Sequence, residues 1–173
     1  NNNGLFEKGG TRSNSATFVD FFPTLVELCG ITVEGESNVM PADREIDGVS
    51  FVPVIKNDSV VHTEEHPILH MKREDIKAIQ YTVPSQTIKD MYPDYDYEIL
   101  DSEYLTLKYF DKAPNDNSAF FDKSRKNWLH ILTDDYQENY NRTTVYPEVS
   151  AKMNEELKGI QKAFKDNRRG IIE

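Results

Sequence analysis

Residues 103–110 read EYLTLKYF, and the alternation in this stretch decides the architecture. Leu105, Leu107 and Tyr109 fall on one side, and Tyr104, Thr106, Lys108 and Phe110 on the other. That is the period of two with which a strand presents its two faces. One apolar face and one mixed face suit an antiparallel sheet buried on one side.

Moving outward from this strand, the period changes at Pro67. ILHMK and IKAIQYTV are rich in β-branched residues and partly alternate, which predicts strands at about 68–72 and 76–83. NWLHIL, residues 127–132, predicts another short strand. A sheet of three or four strands needs a cover for its apolar face. The cover is a long helix opening at Pro147, on which Val149, Met153, Leu157, Ile160 and Phe164 form one stripe. The helix is expected to end near Asn167, with Arg168-Arg169 complementing its C-terminal dipole. The arrangement is α+β.

Between strands, PSQTIKDMYPDYD, residues 84–96, reads as a loop bearing Tyr92, Tyr95 and nearby Tyr97. These tyrosines either form an aromatic rim for a sugar or ring substrate, or pack over a sheet edge. At the N-terminal side, residues 1–16 are polar and Gly-rich and read as loop. Gly9-Gly10 beside Lys8, Thr11 and Arg12 offer backbone N–H groups for an anion, or else a frayed end. Residues 17–30, TFVDFFPTLVELCG, predict a helix with Asp20 as N-cap, Pro23 in the first turn and Gly30 at its stop. Phe21, Phe22, Leu25, Val26 and Leu28 recur at helical spacing and are expected to be its buried stripe. Cys29 is expected to be a buried helix-end residue. An acidic loop then leads to the Asp47-Gly48 turn and an apolar run ending at Ile55.

Composition narrows the function. The chain has 173 residues, with 30 acidic against 20 basic side chains and a net charge of −10. That balance argues against nucleic-acid binding. No run approaches the ~20 apolar residues of a membrane span. A single cysteine excludes an internal disulfide framework. Asn57-Asp58-Ser59 and Asn141-Arg142-Thr143 fit the glycosylation sequon, a short match that arises easily in a polar chain. His62, His66 and His130 show no zinc-type spacing. The opening NNNGLFEKGG is not a signal peptide, so an export signal would lie upstream.

Beyond this, the wording of the chain resembles the C-terminal third of sulfatases. "VDFFPTLVELCGI … IDGVSFVPVI" is similar to the family's D-x-x-PTL-x-x-L-x-G followed by DG-x-S-(L)-x-P. GLFEKGG resembles the passage that places a lysine against the sulfate group. EYLTLKYF resembles a strand of the family's C-terminal region. NWLHILTDDYQENYN followed by PEVSAKMNEELKGIQ resembles the family's last strand and closing helix. The four stretches occur in the family's order over most of the chain.

The resemblance implies a division into residues 1–56, the end of an α/β catalytic domain with its connecting helix, and 57–173, a C-terminal α+β subdomain. That subdomain would sit at the edge of an α/β alkaline-phosphatase-like domain. It implies a parent enzyme hydrolysing sulfate esters of a glycan or aryl substrate, periplasmic or secreted, and the absence of disulfides favours a bacterial one. A Ca²⁺ ion and a formylglycine nucleophile would come from upstream, which leaves this part inactive by itself. Lys8 becomes the candidate catalytic cation, and His70 and Arg73 candidate substrate-binding residues at the rim. For His70 a second reading stands open, a half-buried sheet histidine.

The departures from the pattern are specific. Cys29 lies in LCGIT, without the Pro and Arg of the formylglycine motif Cys-x-Pro-x-Arg. Asn2-Asn3-Gly4 stands where the family has late calcium ligands, with Asn in place of Asp, and reads as loop. The passage between Arg12 and Thr17 is shortened, and Asp135-Tyr136 replaces Asp-Pro. Two other classes remain in view: a related phosphodiesterase or phosphonate hydrolase, and a non-catalytic glycan-binding module.

Overall fold

The computed structural model describes residues 14–30, 47–57, 59–94, 102–111 and 127–166. The chain divides into two compact units, Asn1–Ile68 and Leu69–Glu173. The first carries a 3₁₀ turn, Phe18–Asp20, running into helix α1, Phe21–Cys29, and later a short helix α2, Val52–Asn57. Gly30 ends α1 in the left-handed region, at φ +59°, a conformation that costs glycine nothing.

The second unit holds a four-stranded sheet in the order β1-β2-β3-β4, its first strand starting at the unit boundary. The strands are β1 Ile68–Lys72, β2 Asp75–Pro84, β3 Tyr104–Phe110 and β4 Trp128–Ile131. β2–β3 and β3–β4 are antiparallel. Helix α3, Ser85–Met91, follows β2, and helix α4, Pro147–Asp166, closes the chain. This is the expected α+β arrangement, a small antiparallel sheet under a long C-terminal helix.

Register explains why the sheet has one apolar face. Tyr81, Leu107 and Ile131 stand side by side across three strands, as do Ile79, Tyr109 and Leu129. All six are buried, and they form one core with Val149, Met153 and Leu157 of α4. Each such side chain contributes on the order of 2 kcal/mol through removal from water. Ile160 packs partly against this core, while Phe164 at the end of the stripe is 37% exposed.

Several expectations need correction. Residues 85–91 are helix α3, not loop: the run QTIKDM has few breakers, and Ile88 is drawn into the core. Tyr92 is not on a rim. Its ring packs edge-on against Tyr146 at 5.3 Å, and its hydroxyl accepts the N–H groups of Glu148 (2.9 Å) and Val149 (3.4 Å). It caps α4 from a distance, so the reading as a packing tyrosine holds; Tyr95 and Tyr97 lie outside the described residues. The α1 stripe is also reversed. Phe21, Phe22 and Leu25 are 59%, 54% and 42% exposed, while Pro23 and Thr24 are buried. Cys29 is exposed. The polar bonds of Asp20 and Thr24, described below, turn that side of the helix inward.

Candidate functional site

The face of the sheet opposite α4 carries a polar row. Gln80, Lys108 and His130 are neighbours in register across β2, β3 and β4. His70 on β1 extends the row, with its Nε2 3.0 Å from Oε1 of Gln80. An amide oxygen only accepts, so Nε2 carries the imidazole proton and Nδ1 keeps its lone pair. Burial, then the charge of Lys108, lowers the His70 pKa, and the opposing pull of Gln80 and Glu138 does not compensate. At neutral pH the ring is therefore uncharged, a hydrogen-bonding group rather than a cation.

Lys108 Nζ bonds Oε1 of Glu138 at 2.6 Å and lies 5.0 Å from the centre of the Phe110 ring. Glu138 belongs to a tight turn between β4 and α4 and has a φ of +58°, uncommon for a residue with a Cβ. Asp135 organises this turn: its carboxylate accepts the N–H groups of Asn139 (2.9 Å) and Tyr140 (2.8 Å), and its own N–H donates to Ile131. Asn141 completes it. Its amide donates to the Asn127 carbonyl and its oxygen accepts from Leu129 and Thr143, so this sequon asparagine is engaged in structure.

His130 is fully buried. Its ring stacks on Trp128 (5.9 Å, 22°) and meets Phe110 edge-on (6.0 Å, 88°). Among the described residues neither ring nitrogen has a hydrogen-bond partner. The nearest carboxylate oxygen, on Asp135, is 3.7 Å away, beyond hydrogen-bonding distance. Burial lowers the pKa of this histidine despite the nearby carboxylates of Glu138 and Asp135.

In the first unit a second polar centre forms around Asp20, which is 2% exposed. Its Oδ2 accepts the N–H of Thr17 (2.6 Å) and faces Nε2 of His62 (2.9 Å); its Oδ1 accepts the N–H of Val49 (3.0 Å). The other His62 nitrogen faces the His66 carbonyl at 3.0 Å. Both ring nitrogens are thus taken up by oxygen atoms, and neither is open to a substrate. Thr24 continues the centre, donating to the Asp20 carbonyl and accepting from Phe51 N–H. Asp20 therefore caps across the chain, where a local N-cap is expected. The pair is a clasp, not a general base.

Of the candidate site residues, Lys8 lies outside the described residues. His70 joins the polar row. Arg73 is exposed in the β1–β2 turn with a φ of +59°. Sequence reading passed over Gln80, Lys108 and Glu138. The outward positions of the alternating strands hint at the first two, and Glu138 has no local signal. Among the described residues no group of three or more His, Cys, Asp or Glu could hold a metal ion, and no helix is long and apolar enough to cross a membrane. Chemically the row can donate and accept hydrogen bonds, and its one lysine is neutralised within the turn.

Neither a family model nor a curated protein matches this chain. Among solved structures it is similar to BT4656, determined in complex with its substrate D-glucosamine-2-N,6-O-disulfate, at 22% identity and a TM-score of 0.41. The likeness covers 94% of this chain and 27% of that one. This chain thus spans about a quarter of the length of the protein it matches.

Proposed function

We propose that this chain is the C-terminal part of a sulfatase, an enzyme that hydrolyses sulfate esters of a glycan or aryl substrate. The observation that carries the reading is the order of the sulfatase-like stretches together with where two of them fall. EYLTLKYF is β3, and the last stretch supplies β4 and α4. The catalytic domain, with Ca²⁺ and formylglycine, would be supplied from upstream, and this part would pack against it. No calcium ligand set exists among the described residues, so no step is assigned to the ion here.

In this reading Lys8 neutralises charge on the sulfuryl oxygens. His70 offers an uncharged ring to a sugar hydroxyl, and Arg73 adds a cation at the rim. A periplasmic or secreted location, in a bacterium, fits an enzyme of this kind.

The test is an assay of the full-length protein for sulfate release from an O-sulfated glucosamine and from an aryl sulfate, beside phosphodiester and phosphonate substrates. Sulfate release is expected, with Lys8→Ala lowering turnover by ~100-fold, the loss typical of removing one group aimed at a developing oxyanion. Cleavage of phosphodiesters or phosphonates alone, or tight binding of sulfated sugar without turnover, would overturn the reading.

A further inference from the structure

The 133–141 turn is tied to its surroundings at several points, among them the Asp134–Arg142 ion pair and the Thr106 N–H on the Thr133 hydroxyl. Asp135 takes its backbone N–H groups, Glu138 is locked to Lys108, and His130 lies 3.7 Å from Asp135 with no hydrogen bond to its ring among the described residues. We propose that His130 is the trigger of an acid-operated latch: when its ring takes up a proton, the turn opens and Glu138 releases Lys108. This inference does not depend on the sulfatase reading.

Lys108 stands directly opposite His130 in register, so the charge of a second ring proton would lie beside the Lys108–Glu138 ion pair and compete with Lys108 for that carboxylate. On the turn, the nearest anion is Asp135, whose Oδ2 is 3.7 Å away and already accepts the N–H of Tyr140. A proton on Nδ1 would pull the Asp135 carboxylate toward the ring and out of the position in which it accepts the N–H groups of Asn139 and Tyr140. Trp128 and Phe110 flank the ring, and neither side chain carries a hydrogen-bond acceptor. Glu138 is the carboxylate bonded to Lys108, and Asp134, on the same turn, is paired with Arg142. From the remaining strands the titratable group facing this pair is His70, held through Gln80. Helix α4 covers the opposite face of the sheet.

Burial already disfavours the charged form of His130. A buried imidazolium can therefore form only where the structure around it yields. The turn is the element able to yield. It holds Glu138 in a left-handed conformation that its side chain disfavours, and opening would relieve that conformation while exposing the His130 ring to water. Once Glu138 has moved, Lys108 becomes a free cation in the same row as His70.

The chain has a single tryptophan, and it is the one stacked on His130. Its emission therefore reports on this ring. In the full chain, titration from about pH 7.5 to about pH 5, through the ordinary histidine range, should change Trp128 emission. In parallel, as pH falls below the ordinary histidine value of about 6.5, the Asn139 and Tyr140 amides should lose hydrogen-exchange protection by up to about tenfold per pH unit, the slope when the open form takes up one proton that the closed form lacks. In His130→Gln, and in His130→Phe should the first variant fold poorly, both changes should vanish. A selective ¹⁵N label on the histidines of the wild-type chain should show His130 neutral in the closed form over the range in which protection falls, as a one-proton slope requires. The same pH profile in wild type and variants, protection that stays constant to pH 5, or a His130 already protonated in the closed form before protection falls would each overturn the latch.

Discussion

Oδ2 of Asp20 lies 2.9 Å from Nε2 of His62, 42 residues further along the chain. The same carboxylate collects the N–H groups of Thr17 and Val49. One side chain thus joins the start of α1, the Asp47-Gly48 turn and the segment before β1.

Asp20→Asn should therefore destabilise the first unit by about 3 kcal/mol at pH 7, the scale for breaking a buried pair. Burial alone pushes the Asp20 carboxyl up, but the bonds from Thr17, Val49 and His62 outweigh it and lower the pKa. A folded value below the unfolded one means the contribution is complete above the unfolded value of about 3.9. It is lost as pH falls through the folded value. Urea midpoints of wild type and variant should converge in acid; curves that stay parallel would refute the assignment.

Gly48 allows the Asp47-Gly48 turn to lie against the start of α1. A Cβ built on Gly48 would sit 2.1 Å from the Val19 carbonyl oxygen. Gly48→Ala forces backbone apart from backbone and should cost on the order of 3 kcal/mol. Thermal unfolding would show it, and an unchanged midpoint would contradict so close an approach.

Tyr92→Phe removes a hydroxyl that accepts two N–H groups at the first turn of α4. A loss of about 1–2 kcal/mol is expected, since the ring packing survives and the N–H groups lose their partner. Hydrogen exchange at Glu148 and Val149 should accelerate while the centre of α4 stays protected. Uniform acceleration along the helix would indicate a different cause.

Leu157→Ala and Phe22→Ala separate the two apolar stripes. Leu157 is 0% exposed and Phe22 54%. The first change should cost about 2–5 kcal/mol and the second less than about 1 kcal/mol. Denaturant titration of the two variants in the 173-residue chain decides it, and equal losses would mean that α1 buries the face its periodicity suggests.

The second unit was largely legible because its signals are local. Alternation in residues 104–110, the β-branched runs either side of Arg73 and the stripe from Val149 to Leu157 each depend on neighbours two to four positions away. Helix α3 was missed because seven residues hold less than two turns of periodicity and lie between a proline and a tyrosine-rich segment. At the candidate site, His70 could be singled out by residue type. Its partner Gln80 could not, because the bond between them depends on how β1 and β2 pair. Lys108 and Glu138 meet across 30 residues, through a turn whose geometry no alternating pattern encodes.

The EYLTLKYF strand determined by itself that it would have one buried face, and the Pro147 helix determined which stripe would cover a sheet. Those properties follow from the fixed periods of strand and helix. Tertiary structure alone decided that α1 turns Asp20 and Thr24 inward and its phenylalanines outward. It also decided that Gln80, Lys108 and His130 form one row. A buried carboxylate must find its donors wherever the fold brings them, and register across strands is a relation between segments that no single segment contains.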